Sequence, residues 1–356
     1  MSNKHALSNM PKGFSRRSNM KIIKRLVTIF LGFLGMLVAL FALGYVLTIG
    51  DHTVPATVAQ DPSLPSITIN GYAYHGETYG NPENPVVITL HGGPGSDYRS
   101  ILNLQELADE YYVIFFDQRG AGLSPRVSPE EITLESAIVD LDSIVDYYGK
   151  GQKVNLVGHS WGAMLASAYL GQHPEKVEHV VLAEPGFLTT EFLLRFQQQT
   201  QLKFTPGVIT HFLKTKFESL HVMGVDDHAM DDYFTHHINL YQGEDHPQAG
   251  YYCPNAKPDP EGSWRFGATA ASSIQASAID AEGDINLNLV EGVEIFTNQV
   301  LFIAGECQTY IGADWQREQM EFFPNAELVV IPDAGHEMFA ENPEDSITAV
   351  REYLND

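Results

Sequence analysis

The chain has 356 residues, of which 44% are hydrophobic and 19% charged, and its formal net charge is −24. This length and composition are typical of one large or two medium globular domains. Residues 1–50 carry seven basic and no acidic side chains, which leaves 14 basic and 45 acidic residues in the remainder, a formal charge of −31. A body this acidic is expected to repel nucleic acid and anionic lipid headgroups, so no nucleic-acid partner is predicted.

The first predicted element is a membrane span. The 24 residues from Leu26 to Ile49 carry no charge, and as a helix they would extend about 36 Å, enough for a bilayer core of about 30 Å. The segment is longer than the apolar core of a signal peptide, and no Ala-x-Ala cleavage site follows closely. We therefore expect an uncleaved signal anchor rather than a buried core helix. Since the basic residues precede it, residues 1–25 are predicted to be a basic cytoplasmic tail and the body to lie outside the cytoplasm.

After a predicted linker over residues 50–65, strands alternate with helices. Strands are predicted at 66–69, 72–79, 86–90, 112–116, 154–157, 177–183, 299–304 and 327–331, and helices at 97–107, 133–148 and 346–353. This alternation indicates a mostly parallel sheet covered on both faces, a core formed by residues 66–185 and 299–356. The long stretch 186–298 interrupts the pattern with helical segments at 191–201 and 208–220. An insertion at a strand end of such a sheet is expected to cover the ligand crevice, and we call residues 186–298 the cap.

The strand predicted at 154–157 leads into Gly158-His159-Ser160-Trp161-Gly162, and a helix is predicted directly after it. Gly-x-Ser-x-Gly between a strand and a helix requires a sharp turn, which lifts the serine hydroxyl out of the sheet edge. Ser160 is therefore the candidate nucleophile. The N–H of Trp161, at the positive end of the helix, is a candidate oxyanion donor. The alternative is an ordinary strand-to-helix turn.

Two further motifs follow strand ends. In His91-Gly92-Gly93-Pro94-Gly95, closely spaced glycines let the backbone approach a ligand, and the N–H of Gly93 is the second candidate oxyanion donor. In Pro332-Asp333-Ala334-Gly335-His336, the loop after the last strand brings a histidine within reach of the serine as a general base. A glycine–proline turn without a role and an exposed histidine are the alternatives.

In combination, these motifs resemble the α/β-hydrolase superfamily and, within it, the proline iminopeptidase family. The residues that carry the resemblance are His91-Gly92-Gly93-Pro94-Gly95, Asp117-Gln118-Arg119-Gly120-Ala121-Gly122-Leu123-Ser124, Gly158-His159-Ser160-Trp161-Gly162 and Gly335-His336. The resemblance covers roughly residues 66–356. It implies an α/β-hydrolase fold, a Ser-His-acid mechanism without metal or cofactor, a helical cap, and removal of an N-terminal residue from small peptides. For the stretch 117–120 we expect a structural role.

The chain departs from this family at the triad acid. The family places the acid three residues after the glycine that ends the strand before the last, which here is Gln308, an amide. An amide carries no negative charge to stabilise a histidinium. Glu184, at the end of the strand 177–183, is the leading candidate because some α/β hydrolases carry their acid there. Glu306 and Asp314, near the usual place, remain as fallbacks.

The chain also departs from the family in the cap. Iminopeptidases bind the free amine through cap glutamates, one of them in a Trp-Glu pair before a Gly-Ala-Thr-like run, but here Arg265-Phe266 precede Gly267-Ala268-Thr269. Asp280 or Glu282 are possible substitutes. The specificity is therefore open between an aminopeptidase and an esterase or lactonase for small acyl substrates, with a non-catalytic binding protein as a third reading. Whether Cys253 and Cys307 pair is also open.

Overall fold

The computed structural model describes residues 16–241, 243, 245–254, 256, 259, 261–280 and 282–355, so most of the predicted basic tail lies outside the described residues. The chain forms two compact units, residues 1–50 and residues 51–356.

The first unit contains α1 (Arg16–Leu47). Its stretch from Met20 to Leu47 is long and apolar enough to cross a membrane, and its side chains are not buried. The helix starts ten residues before the predicted span, inside the predicted tail. Charged residues were excluded from the predicted apolar span, which therefore began at Leu26. Lysine and arginine are good helix formers, so the helix itself starts earlier, within the basic stretch.

The second unit is built around an eight-stranded sheet with the order β1-β2-β4-β3-β5-β6-β7-β8. The strands are β1 (Ser66–Ile69), β2 (Tyr72–Tyr79), β3 (Val86–Leu90), β4 (Tyr112–Phe116), β5 (Val154–His159), β6 (Val177–Ala183), β7 (Val300–Gly305) and β8 (Ala326–Ile331). β2 pairs antiparallel with β1 and β4, and the remaining pairs are parallel. The parallel strands all present their carboxyl ends at one edge of the sheet, where α/β proteins bind ligands.

Helices connect and cover these strands. They are α2 (Leu134–Gly149), α3 (Trp161–Gln172), α4 (Thr190–Gln199), α5 (Pro206–Ser219), α6 (Ala229–Ile238), α7 (Ala268–Ala276), α8 (Ala313–Met320), α9 (Met338–Glu341) and α10 (Pro343–Leu354), with 3₁₀ helices at Tyr98–Asp109, Pro129–Glu131, Pro174–Lys176, Ala249–Tyr251 and Val293–Ile295. α4 to α7 belong to the cap. The helix predicted at 97–107 is thus a 3₁₀ helix, capped by the Asp97 carboxylate, which accepts from the N–H of Arg99.

Both faces of the sheet are buried. Neighbouring residues in a strand point to opposite faces, and accordingly Ile88 of β3 packs with α2 and α3 whereas Val87 packs with the 3₁₀ helix Tyr98–Asp109 and α10. This two-sided burial explains why the parallel strands are apolar throughout rather than alternating. The predicted strands agree with the observed ones to within about two residues at each end.

Nearly all of the stretch predicted as a linker belongs to the second unit and packs against the rest of it. Thr57 and Val58 are buried, and the N–H of Val58 donates to the carbonyl oxygen of Leu123 at 2.9 Å. The carbonyl oxygen of Pro55 accepts a hydrogen bond from Arg265 in the cap at 3.0 Å. Its proline and polar composition is typical of a linker, but these long-range contacts fix the backbone from residue 55 onward.

Candidate active site

Ser160 lies in a strained turn between β5 and α3. Its φ of 53° and ψ of −116° are costly for a residue with a side chain, by about 1–3 kcal/mol. The turn is held by the N–H of Ser160, which donates to the carbonyl oxygen of Ala183 at 2.8 Å. Gly162 has to be glycine because a Cβ there would overlap the carbonyl oxygen of Leu90. The pentapeptide thus forms the sharp strand-to-helix turn that its sequence predicts.

The glycine loop after β3 passes directly over Ser160. A Cβ on Gly92 would lie only 3.0 Å from the Cβ of Ser160, and Gly93 adopts a left-handed φ of 36°. In the described part of the chain, neither the N–H of Gly93 nor that of Trp161 donates a hydrogen bond. Trp161 is the first residue of α3, where N–H groups have no partner within the helix. The loop and the helix start therefore leave two unused donors next to the serine.

Gln118 ties the glycine loop to α3, a link that sequence reasoning missed. Its backbone N–H donates to Nε2 of His91 at 3.0 Å, and its side-chain amide donates to the carbonyl oxygen of His91 at 3.2 Å. Its Oε1 accepts from the indole N–H of Trp161 at 2.9 Å. The preceding residue, Asp117, is buried and accepts from Nδ1 of His75 at 2.7 Å. Gln118 thus links the start of the glycine loop to the side chain of Trp161 at the start of α3.

His336 and Glu184 form a direct buried pair. Nδ1 of His336 lies 2.5 Å from Oε2 of Glu184, and the two residues are 5% and 0% exposed. Glu184 follows β6 directly and His336 lies in the loop after β8, so the parallel register brings two strand ends together. The N–H of Gly305, the last residue of β7, donates to the other oxygen of Glu184 at 2.7 Å.

The two fallback acids lie elsewhere. Glu306 is exposed and accepts from the backbone N–H of Asp333 at 3.1 Å. Asp314 is almost fully exposed and pairs with Arg317 at 2.6 Å. Neither contacts His336, so among the predicted carboxylates only Glu184 reaches the histidine.

The charge of Glu184 sets the protonation of His336. Burial alone would lower the pKa of His336, but the hydrogen bond and negative charge of Glu184 outweigh it, so the pKa of His336 is raised above its ordinary value of 6.5. Glu337 and Glu341 add to the effect. A nearby carboxylate stabilises the imidazolium form of a histidine in this way.

Gln308, at the position where the family carries its triad acid, donates a hydrogen bond to Glu184. Its Oε1 accepts from the backbone N–H of Tyr310 at 2.8 Å, which orients the amide nitrogen toward Oε2 of Glu184 at 3.5 Å. Burial raises the pKa of Glu184, and the hydrogen bonds from His336, Gly305 and Gln308 oppose that rise. An amide here supports a carboxylate supplied by another strand.

His159 forms a hydrogen bond to the backbone of His336. Its Nε2 donates to the carbonyl oxygen of His336 at 2.7 Å, so its Nδ1 is the unprotonated nitrogen. That Nδ1 is buried and has no hydrogen-bond partner among the described residues. Burial lowers the pKa of His159 to about 4, so the ring is neutral at physiological pH. Its only sequence signal was its position inside the serine motif.

A segment of the cap packs against the loop that carries His336. The N–H of His336 donates to the carbonyl oxygen of Tyr251 at 2.7 Å, and the two rings lie 4.5 Å apart between centroids. Nearby, Cys253 and Cys307 form a disulfide, with 4.8 Å between their Cα atoms. The pairing that the sequence left open is thus made, and it joins the cap to the loop after β7.

Replacing both cysteines by serine is expected to lower the free energy of unfolding by about 4 kcal/mol, because the crosslink closes a long loop in the unfolded chain. The separation between the two cysteines is 54 residues. Urea denaturation of the detergent-solubilised protein, followed by tryptophan fluorescence, measures the change, since all three tryptophans lie beyond residue 50. The reduced wild-type protein is the control and should match the variant. Equal unfolding midpoints for the oxidised wild type and the variant would contradict the prediction.

The cap stretch with the altered amine-binding pattern has two distinct parts. Arg265 is buried and pairs with Asp226 and Asp232, both at 2.7 Å. Phe266 packs its ring against the glycine loop, where a Cβ on Gly93 would meet it at 3.7 Å. An arginine locked in a cap ion pair and an uncharged ring therefore stand where the family carries tryptophan and glutamate.

The two proposed substitutes for the amine-binding acid lie in a local turn of the cap. Oδ1 of Asp280 accepts from the backbone N–H groups of Glu282 and Asp284, and Glu282 is exposed. Their described contacts do not reach Ser160 or His336.

A family model for the alpha/beta hydrolase fold matches residues 85–343, which is well over half of the chain. The chain belongs to the α/β-hydrolase family. The predicted fold class is thereby confirmed. Family membership supports a hydrolase but leaves the substrate open, because one fold carries many activities.

Among curated proteins, this α/β hydrolase resembles proline iminopeptidases over part of its length. It is 34% identical to the proline iminopeptidase of Lactobacillus helveticus (strain DPC 4571) over 129 residues, 35% of this chain and 43% of that protein. It therefore spans less than half of that relative's length. Among solved structures, VinJ aligns with a TM-score of 0.58 at 18% identity, covering 82% of this chain and 97% of the other. The proline iminopeptidase of Mycobacterium smegmatis aligns with a TM-score of 0.54 at 18% identity, covering 82% of this chain and 98% of the other. At these identities the structural likeness shows the fold alone.

Proposed function

We propose that this α/β hydrolase cleaves an amide or ester bond through Ser160, His336 and Glu184. The observation that carries the proposal is the buried 2.5 Å contact between Nδ1 of His336 and Glu184, at the same sheet edge as the strained serine turn. A nucleophile, a base and a group that orients the base are the parts of a serine hydrolase triad.

In the proposed mechanism, His336 accepts the proton of Ser160 as the hydroxyl oxygen attacks the substrate carbonyl. The N–H groups of Gly93 and Trp161 stabilise the negative oxygen of the tetrahedral intermediate. His336 then protonates the leaving group, and a water molecule hydrolyses the acyl-enzyme by the reverse sequence. In the described part of the chain the Ser160 hydroxyl makes no hydrogen bond; in unliganded enzymes the serine–histidine contact often tightens only when substrate binds.

Glu184 has the supporting role in this proposal. As a carboxylate on Nδ1, it keeps the proton on that nitrogen, so Nε2 is free to act as the base, and it stabilises the imidazolium that forms. Gln308 and the N–H of Gly305 hold the carboxylate in place. Because the acid comes from β6 rather than from the loop after β7, the amide at position 308 is compatible with catalysis.

For the substrate, we propose a small peptide from which the N-terminal residue is removed, as the partial match to proline iminopeptidases suggests. A second candidate is an esterase or lactonase acting on small acyl substrates. The specific observation in its favour is the uncharged ring of Phe266 against Gly93, where an amine-binding carboxylate is absent from the sequence. A binding protein without activity is disfavoured because the serine turn and the histidine–carboxylate pair are both formed.

A paired substrate panel separates these candidates. The full-length protein in detergent would be assayed on prolyl and alanyl arylamides and on short-chain aryl esters, with Ser160→Ala as the control. Serine-dependent cleavage of the prolyl arylamide supports the iminopeptidase, and cleavage of esters alone supports the esterase. No turnover on either, together with no labelling by a fluorophosphonate, would contradict the hydrolase.

The raised pKa of His336 predicts the acid side of the pH profile. The base must be neutral to accept the serine proton, so kcat/KM should rise with pH through a pKa above 6.5. The measurement is kcat/KM against pH for the best substrate of the panel, with circular dichroism at each pH to show that the fold persists. A limb at or below 6.5 would contradict the described environment of His336.

We further propose that α1 anchors the protein in a membrane with the second unit outside the cytoplasm. The proposal rests on the apolar stretch of α1 and on the seven basic residues that precede or begin it, which favour a cytoplasmic N-terminus. Protease added to intact cells should then digest residues 51–356. Survival of this region in intact cells, with digestion in lysed controls, would overturn the orientation.

A further inference from the structure

We propose that the cap carries a membrane-docking surface, which lies in the headgroup region of a lipid bilayer. Its apolar members are Leu202, Phe204, Ile209, Phe212, Leu213 and Met223. We call these six side chains the cap face. Phe204 and Met223 are 79% and 83% exposed, which is unusual for large apolar side chains on a water-facing surface.

The exposed apolar side chains of the second unit are concentrated in this region. Among the described residues of this unit, 14 large hydrophobic side chains are exposed; nine of them fall between Leu194 and Met230, and the other five are scattered over the rest of the unit. Single exposed apolar residues are normal, whereas a cluster of them marks an interaction surface.

α5 shows how the cap face is built. Ile209, Phe212 and Leu213 follow the spacing i, i+3, i+4, which places them on one side of the helix, and all three are exposed. Val208, Thr215 and Ser219 are the buried residues of the same helix and define its inner side. The outer side therefore carries apolar side chains that do not face the hydrophobic core, so core packing does not account for them.

Charge indicates what covers the cap face. Residues 192–217 contain four basic and no acidic side chains, within a body of formal charge −31. Arg195 pairs with Glu318, and Lys216 lies over the ring of Phe234. Lys203 is exposed, and Lys214, which lies 3.5 Å from Glu218 one turn further along the helix, keeps 65% of its side chain exposed. Exposed lysines beside aromatic and aliphatic side chains on a helix are typical of segments that lie in the interface of anionic membranes.

The segment between α1 and the first residue that contacts α6 is short. The apolar helix ends at Leu47, and five residues later Nδ1 of His52 lies 3.0 Å from the hydroxyl of Tyr233 on α6. α6 packs on α5, with Phe212 and Phe234 at 5.4 Å between ring centroids. Five extended residues reach at most about 18 Å. The inference rests on the proposed membrane span of α1, from which only five residues of chain lead to His52.

A bilayer fits this surface better than a second copy of the chain. A two-fold contact through the cap face would place the basic side chains of both copies in one interface, and residues 192–217 contain no acidic side chain to pair with them, which opposes association. Anionic headgroups instead neutralise Lys203 and Lys214 while the acyl region takes up the apolar side chains.

The test places a fluorescent reporter on the cap face of the full-length protein. Phe212→Cys is labelled with an environment-sensitive dye and reconstituted in vesicles of phosphatidylglycerol and phosphatidylcholine with a lipid-borne nitroxide quencher. The two native cysteines form a disulfide, so the new thiol is labelled selectively. Val139→Cys, on α2 and 58% exposed, is the matched control on another surface.

We expect blue-shifted emission and at least about threefold more quenching at position 212 than at 139. The charge-reversal variant Lys203→Glu/Lys214→Glu should lose most of this difference in vesicles that contain phosphatidylglycerol. Equal quenching at the two positions would overturn the proposal. A blue shift at 212 without quenching by the lipid would also overturn it, in favour of a contact between copies. Circular dichroism of each labelled variant shows that the fold is intact.

Discussion

Replacing Ser160 with alanine is expected to lower kcat by about 10⁶-fold, because the only proposed nucleophile is removed. The Ser160 hydroxyl makes no hydrogen bond in the described part of the chain. The backbone φ of 53° at this position is equally unfavourable for alanine and serine. The fold should therefore survive the change. Turnover of the best substrate from the panel measures the loss, and a fluorophosphonate reports whether position 160 is labelled.

Ser143→Ala is the matched control for this experiment. Ser143 is a half-buried serine on α2 whose hydroxyl donates to the carbonyl oxygen of Val139, so its loss should leave turnover and labelling at the wild-type level. Retained labelling in Ser160→Ala would show that a different residue is the nucleophile and would reject the proposed mechanism.

Glu184→Gln is expected to lower kcat by about 10⁴-fold, the typical cost of losing the carboxylate from such a triad. Glutamine has nearly the same shape, but without the charge it cannot stabilise the imidazolium. A second effect follows from the environment of His336: its burial is then opposed only by the smaller effects of Glu337 and Glu341, so the pKa of the ring falls. The acid limb of kcat/KM should therefore move to lower pH. A purely structural role for Glu184 would not move this limb.

The matched control is Glu306→Gln, which makes the same change at an exposed carboxylate near the position where the family carries its acid. We expect near wild-type kcat and an unshifted pH limb for this variant. Undiminished turnover in Glu184→Gln, or a large loss in Glu306→Gln, would move the acid assignment away from β6.

The sequence alone indicated the fold, predicted Ser160 and His336 as site residues, and proposed Glu184 as the leading one of three candidate acids. Alternating apolar runs and amphipathic stretches predicted the parallel sheet because buried strands and surface helices have different periodicities. Ser160 was visible because the serine turn needs contiguous residues of defined type. His336 and Glu184 were singled out by their positions after strands, since the carboxyl ends of parallel strands meet at one edge.

Other features were decided only by the tertiary structure. Whether Glu184, Glu306 or Asp314 reaches His336 depends on strand register across 152 residues of sequence, and no local pattern encodes a register. The same reason applies to Gln118, which joins two loops, and to the pairing of Cys253 with Cys307.

The function of an amide or an arginine is also set by its surroundings. From the sequence, Gln308 indicated the loss of the family's triad acid, and Arg265 indicated a change in the family's amine-binding pair. The structure makes the first a donor to Glu184 and the second a buried ion-pair partner of Asp226 and Asp232. Side-chain type is fixed by the sequence, but burial and partners, which determine charge state and hydrogen bonding, arise only when distant segments pack together.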